Sequence, residues 1–166
     1  AVFDGSSFIY SDTVNKAVGG LNKEVCYAAW FRTTDKTASQ VIISCTETGG
    51  FNLGINPSDA VGYIRAELYA NGSYCSMKDY STDNLENNKW YFILANYNGS
   101  TFDLWLNDTK ISSADKSGII GYPSNSNVKF TIGSEANPET NADQCFKGNI
   151  ADVRVYNRAL TDEQIV

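Results

Sequence analysis

The chain has 166 residues, with 13 Lys and Arg against 19 Asp and Glu, a net charge of −6, and no His. A chain of this length buries a core without staples and is expected to form one domain. The missing His excludes Ser-His-Asp and Cys-His catalysis and His-ligated metal sites. The acidic balance argues against nucleic acid as a partner, because that needs a basic patch, and no run of 18 apolar residues predicts membrane insertion.

In chain order, the dominant period is two, as in half-buried strands. Strands are predicted over 25–31, 40–44, 51–55, 63–69, 90–97, 101–107, 128–132 and 150–156. Turn signals separate them: Gly49-Gly50, Asn56-Pro57-Ser58-Asp59, Asn71-Gly72, Asn98-Gly99 and Asn107-Asp108. Asn98-Gly99 predicts a tight hairpin between 90–97 and 101–107. Residues 112–127 read as the longest loop and 135–144 as another. Thr161 and Gln164 have capping-box spacing, which predicts a short helix start. The chain reads as a module excised from a larger protein. Short strands with turns between them predict an all-β, two-sheet antiparallel sandwich, with at most a short C-terminal helix.

Cys26, Cys45, Cys75 and Cys145 are widely spaced, with no C-x-x-C among them. An even count of this kind suits two disulfides in a secreted or surface protein. Three connectivities exist. Cys26–Cys45 with Cys75–Cys145 is the preferred one, since a hairpin about 33–39 would bring the first pair together.

Glycoside hydrolysis needs two carboxyl groups facing each other across the scissile bond. No strand carries two acids at period two. Glu67 is alone among Tyr and Arg, Asp103 alternates with Trp105 and Asn107, and Asp79 and Asp83 are loop-like. No catalytic residues are therefore assigned, and the chain is expected not to be an enzyme.

Sugars are bound by aromatic rings against C–H faces, with planar polar groups taking the hydroxyls. The chain has 10 Tyr and 3 Trp against 8 Phe, a ratio suited to partly exposed rings. Tyr63, Arg65, Glu67 and Tyr69 share one strand face opposite Ile64, Ala66 and Leu68. They are the first glycan-binding candidates. The alternative is a solvent face with Arg65 and Glu67 each paired with neighbours across the sheet. Trp105 points away from Phe102, Leu104 and Leu106 and joins the candidates. Tyr74 and Tyr80 fall in loop or edge segments. Trp30 and Trp90 are expected in the core, because their strands are largely apolar. Three N-x-[ST] sequons, at Asn71, Asn98 and Asn107, read as turns before they read as glycosylation sites.

Four stretches carry a resemblance: Val2-Phe3-Asp4-Gly5, Ala29-Trp30-Phe31, the run WYFILANYNGSTFDLWLN at 90–107, and FKGNIADVRVYNRAL at 146–160. Together they resemble a laminin-G-like domain of the concanavalin A-like lectin/glucanase superfamily. The resemblance spans essentially the whole chain. It implies a jelly roll with one concave face and loops along its rims. It also implies a structural calcium ion where the first and last strands meet, with Asp152 as ligand and Asp4, Gly5 or Ser6 adding oxygens. Pairing of Asp152 with Arg154 or Arg158 is the alternative. Asp59, Glu135 and Asp143 are further loop acids with no distinguishing spacing. The expected function is a non-catalytic carbohydrate-binding module of a secreted or surface protein. A module that binds a host or matrix protein, as in an adhesin, is the alternative.

Overall fold

The computed structural model describes residues 1–11, 20–46, 49–56, 63–79, 85–123, 128–135 and 144–166. Sheet I contains β1 (Val2–Asp4), β3 (Val25–Thr33), β8 (Tyr91–Tyr97), β9 (Thr101–Leu106), β10 (Thr109–Asp115) and β12 (Lys147–Tyr156), in the order β1-β12-β3-β8-β9-β10. Sheet II contains β2 (Ile9–Ser11), β4 (Gln40–Ser44), β5 (Phe51–Asn56), β6 (Tyr63–Ala70), β7 (Ser73–Asp79) and β11 (Phe130–Ile132), in the order β2-β11-β4-β5-β6-β7. All pairings are antiparallel. The result is a jelly-roll sandwich, as the period-two pattern and the resemblance predict.

Alternation decides which side chains enter the core. Val25, Tyr27, Ala29 and Phe31 of β3 face inward, as do Ile64, Ala66, Leu68 and Ala70 of β6. Tyr27 stacks on Phe51 with ring centroids 4.3 Å apart, and its hydroxyl donates to the Glu67 carbonyl at 2.9 Å. One buried side chain therefore joins sheet I to sheet II behind β6. Its polar tip is satisfied, as burial of a tyrosine requires.

The Asn98-Gly99 hairpin is present, with a division of labour. Gly99 supplies the positive φ of +91°. Asn98 is a side-chain acceptor, taking the Ser100 N–H at 3.0 Å and the Thr101 N–H at 2.8 Å on Oδ1. The expected 112–127 loop is shorter than predicted. Its first residues belong to β10, an edge strand whose exposed polar residues give no apolar alternation. Residues 57–59 and 127, together with Tyr80, Asp83 and Asp143, lie outside the described residues.

A strap of chain crosses the outer face of sheet I. The Asn96 amide pairs with the Leu160 backbone in both directions, donating to its carbonyl and accepting from its N–H, each at 2.9 Å. Glu24 accepts the Ala159 N–H at 3.1 Å. Helix α1 (Asp162–Ile165) comes next, and Gln164 Oε1 reaches back to the Thr161 N–H at 3.2 Å. Lys110 bridges Asp103 at 3.1 Å and Asp162 at 3.2 Å. Leu160 and Ile165 pack there with Cys26, Ala28, Leu94 and Trp105.

Cys26 and Cys45 are not joined by a disulfide, which corrects that expected pair. After β3 the chain crosses to the other sheet instead of turning back as a hairpin. Cys26 thus lies on the outer face of sheet I, whereas Cys45 lies between the sheets. Burial pushes both thiols up to about 12. Denaturation without reductant followed by alkylation is expected to label Cys26 and Cys45. In the native state both should label slowly, because the thiolate is the reactive form. Resistance of these two to alkylation until reduced would contradict this arrangement.

Candidate functional site

The outer face of sheet II holds the candidate site. Because Ile64, Ala66 and Leu68 face the core, Tyr63, Arg65, Glu67 and Tyr69 stand on the opposite side. Strand pairing extends this face sideways. A polar row crosses all six strands in register: Tyr10, Thr131, Ser44, Asn52, Glu67 and Ser76. Beside it Gly54, Arg65 and Lys78 form a second row, and Tyr69 faces Tyr74.

The centre of this face is closed and its β7 side is open. Asn52 and Tyr63 are each 1% exposed. Lys78 lies over the Tyr63 ring, 5.4 Å from its centroid. Arg65, Glu67 and Tyr69 are half-buried, and Tyr74 and Ser76 are exposed. The Tyr69 and Tyr74 rings meet edge to face at 4.9 Å. The Tyr74 hydroxyl is anchored by the Gly49 N–H at 2.8 Å and donates to the Gly49 carbonyl at 3.1 Å. Glu67 accepts from the Ser76 hydroxyl at 3.1 Å and lies 3.9 Å from Arg65 Nη1. The Arg65–Glu67 pair lies within β6, whereas the Ser76–Glu67 bond is the pairing with a neighbour across the sheet weighed from the sequence. Asn52 Oδ1 and Arg65 Nε are buried and have no hydrogen-bond partner among the described residues. Each such atom costs about 1–3 kcal/mol until a ligand or water meets it.

Tyr63, Arg65, Glu67 and Tyr69 are thus brought together, with Tyr63 underneath and unable to offer its ring face. Trp105 is separated from them. It sits on the outer face of sheet I, 5% exposed, beneath Lys110, whose ammonium is 5.0 Å from the ring centroid. Trp30 and Trp90 reverse the core expectation, being 40% and 41% exposed. Trp30 alternates against Ala29 and Phe31, so it faces outward and meets Phe92 at 5.4 Å. Arg32 covers Trp90 at 5.5 Å. Asn52 was missed by the sequence reading. The only available signal was its position between inward-facing Phe51 and Leu53, which puts it on the face of Glu67.

The two acids expected at a shared calcium ion do not meet. Asp4 pairs with Lys147 across the strands, and Asp152 lies five residues further along β12, about 16 Å away at strand rise. Asp4 Oδ1 takes the Ser6 N–H, the Ser6 hydroxyl and the Ser7 N–H, each at 2.9 Å. These bonds, with that to the Ser6 N–H foremost, hold its carboxyl well below the usual range. Asp152 is a bulge residue with φ +51°. Arg154 forks onto both of its oxygens, at 2.9 and 2.6 Å, and lowers its pKa. The pairing alternative is therefore the arrangement present. Among the described residues no three acids or thiols converge as a metal site.

The fold is shared with solved structures. The sialidase CBM40 of Ruminococcus gnavus, bound to α2,3-sialyllactose, is 13% identical with a TM-score of 0.78, covering 99% of this chain and 93% of that one. Domain 4 of AbnA, a GH43 extracellular arabinanase from Geobacillus stearothermophilus, in complex with arabinotriose, is 17% identical with a TM-score of 0.69, covering 99% and 73%. A heptameric SAP-like pentraxin of Limulus polyphemus is 16% identical with a TM-score of 0.61, covering 87% and 68%. No curated protein matches in sequence. The sequence profile described as the concanavalin A-like lectin/glucanases superfamily, a laminin-G type, matches residues 4–166. With the two-sheet jelly roll and its closing strand, that match establishes that the chain belongs to this superfamily.

Proposed function

We propose that the protein is a non-catalytic carbohydrate-binding module of a secreted or surface protein, with its ligand lying over β6 and β7 on the outer face of sheet II. The observation that carries this reading is the grouping of Arg65, Glu67, Tyr69, Tyr74 and Ser76 on one partly open surface, with unmet polar atoms behind it. The tyrosine pair offers ring surface to the C–H face of a sugar, and the guanidinium and carboxylate give direction to its hydroxyls. The glycans named with the sialidase and arabinanase modules support the ligand class. Glu67 is the one carboxylate on this face among the described residues, which supports binding without hydrolysis.

The test is a glycan array run with calcium and with chelator. The wild-type protein is expected to bind, and Tyr69→Ala to weaken binding about tenfold, the scale of one aromatic anchor. Full retention in Tyr69→Ala would remove this face from the reading. Binding that the chelator abolishes would assign calcium a part in the site. Exposed Trp30, packed on half-buried Phe92, favours a second reading, a module that binds a host or matrix protein. A blank array, together with capture of a matrix protein that Trp30→Ser abolishes, would select it.

A further inference from the structure

Among the described residues, two buried atoms on the outer face of sheet II have no hydrogen-bond partner, and they are of opposite kind. Asn52 Oδ1 can only accept, and Arg65 Nε–H can only donate. Asn52 stands opposite Glu67, and Gly54 stands opposite Arg65, so Asn52 and Arg65 are diagonal neighbours on one face. Gly54 borders both, and the Gln40 carbonyl of β4 fills the place its Cβ would take. Half-buried Glu67 and exposed Ser76 continue the row of Asn52 toward β7. Asn52 lies under the closed centre of the face, so a sugar resting on the β7 side would meet it only through one group projected inward.

We infer that Asn52 and Arg65 together bind a single hydroxyl group of a neutral sugar and set the specificity of the site. A hydroxyl gives one hydrogen and keeps two lone pairs, so one oxygen meets both protein atoms. A carboxylate brings only lone pairs. It would turn them against Asn52 Oδ1 and stand beside the Glu67 carboxylate. The face thus selects a glycan with an unsubstituted hydroxyl at this point over one that bears an acid there. This inference rests on the carbohydrate reading above and narrows it.

The experiment uses the full chain on an array of neutral glucose, galactose, mannose, xylose and arabinose oligosaccharides, with sialylated and uronate-bearing glycans printed alongside. The strongest neutral binder is then titrated against the wild type, Asn52→Leu and Arg65→Met, with thermal unfolding of each protein as a folding control. Each variant is expected to lose at least tenfold in affinity, because one buried partner is left unmet. Binding by the wild type should change little between low and high salt, as suits a neutral ligand. Monodeoxy derivatives of that glycan provide a measure that needs no variant to fold. One of them should lose the same factor against the wild type. Affinity retained in a folded Asn52→Leu, or tolerance of every deoxy derivative, would assign these atoms to buried water and overturn the inference. Binding confined to acidic glycans would overturn it and leave the carbohydrate reading standing. A wild type that binds nothing on the array would remove that reading and the inference with it.

Discussion

Truncation of Trp105 to alanine is expected to lower stability by about 3–5 kcal/mol and to leave glycan binding intact below the melting transition. The indole is nearly fully buried on the outer face of sheet I and packs with Cys26, Ala28 and Leu94 beside Leu160. Its Nε1 has no partner among the described residues, so the loss is one of packing and of the Lys110 contact, not of a hydrogen bond. In a chain of this size the melting temperature should fall by about 10 °C. The Lys110 bridge to Asp103 and Asp162 is also undermined, which loosens the strap. The check is thermal unfolding paired with a binding titration at low temperature. An unchanged melting temperature with lost binding would return Trp105 to the role its alternation first suggested.

Gly148→Ala is expected to be as damaging, for a reason of backbone geometry. Gly148 lies in β12 between β1 and β3, opposite Phe3 on one side and Thr33 on the other. Its φ is +143°, and a Cβ built there would come within 2.1 Å of the Arg32 carbonyl oxygen and 3.0 Å of the Thr33 Cα. Neither neighbour is a flexible side-chain end, so the strands must part. Strained φ alone costs about 1–3 kcal/mol, and the clash adds to it. A loss of about 3 kcal/mol or more, read from denaturant midpoints, is the expected result. A variant as stable as the wild type would show that β12 can slide to accommodate a methyl group. Since β12 links β1 to β3, the damage should spread through sheet I and spare the register of sheet II.

Alternation along the chain made most strands legible, including β6, whose two faces separate as the sequence predicts. It failed where strands lie at sheet edges. In β7 only Cys75 and Met77 pack toward the core, and in β10 only Ile111 and Ala114, so neither shows a sustained apolar stripe. The Cys26–Cys45 pair was misread because a hairpin and an inter-sheet crossing have the same local sequence. The course of the chain beyond Thr33 is decided by where β4 finds its partners, β5 next along the chain and β11 far from it. The tryptophans illustrate a second limit. Alternation tells which face Trp30 and Trp105 occupy, and it gives the same outward answer for both. One is covered by the strap and the other is not, and period two contains no information about covering segments. For Asn52 the face was readable but the lack of a partner was not, since that depends on which strands flank it.

The anchoring of β1 and the strap has a mechanical consequence. Residues 2–4 pair with β12, and Leu160 and Ile165 pack on the outer face, so both stretches are held on sheet I. Attachment through either stretch therefore leaves the outer face of sheet II turned toward solution. Tension applied between them loads the β1–β12 seam and the Asn96–Leu160 clasp first. The face proposed for glycan stands on the unloaded side of the sandwich, and a ligand there would feel traction on the chain only after those attachments yield.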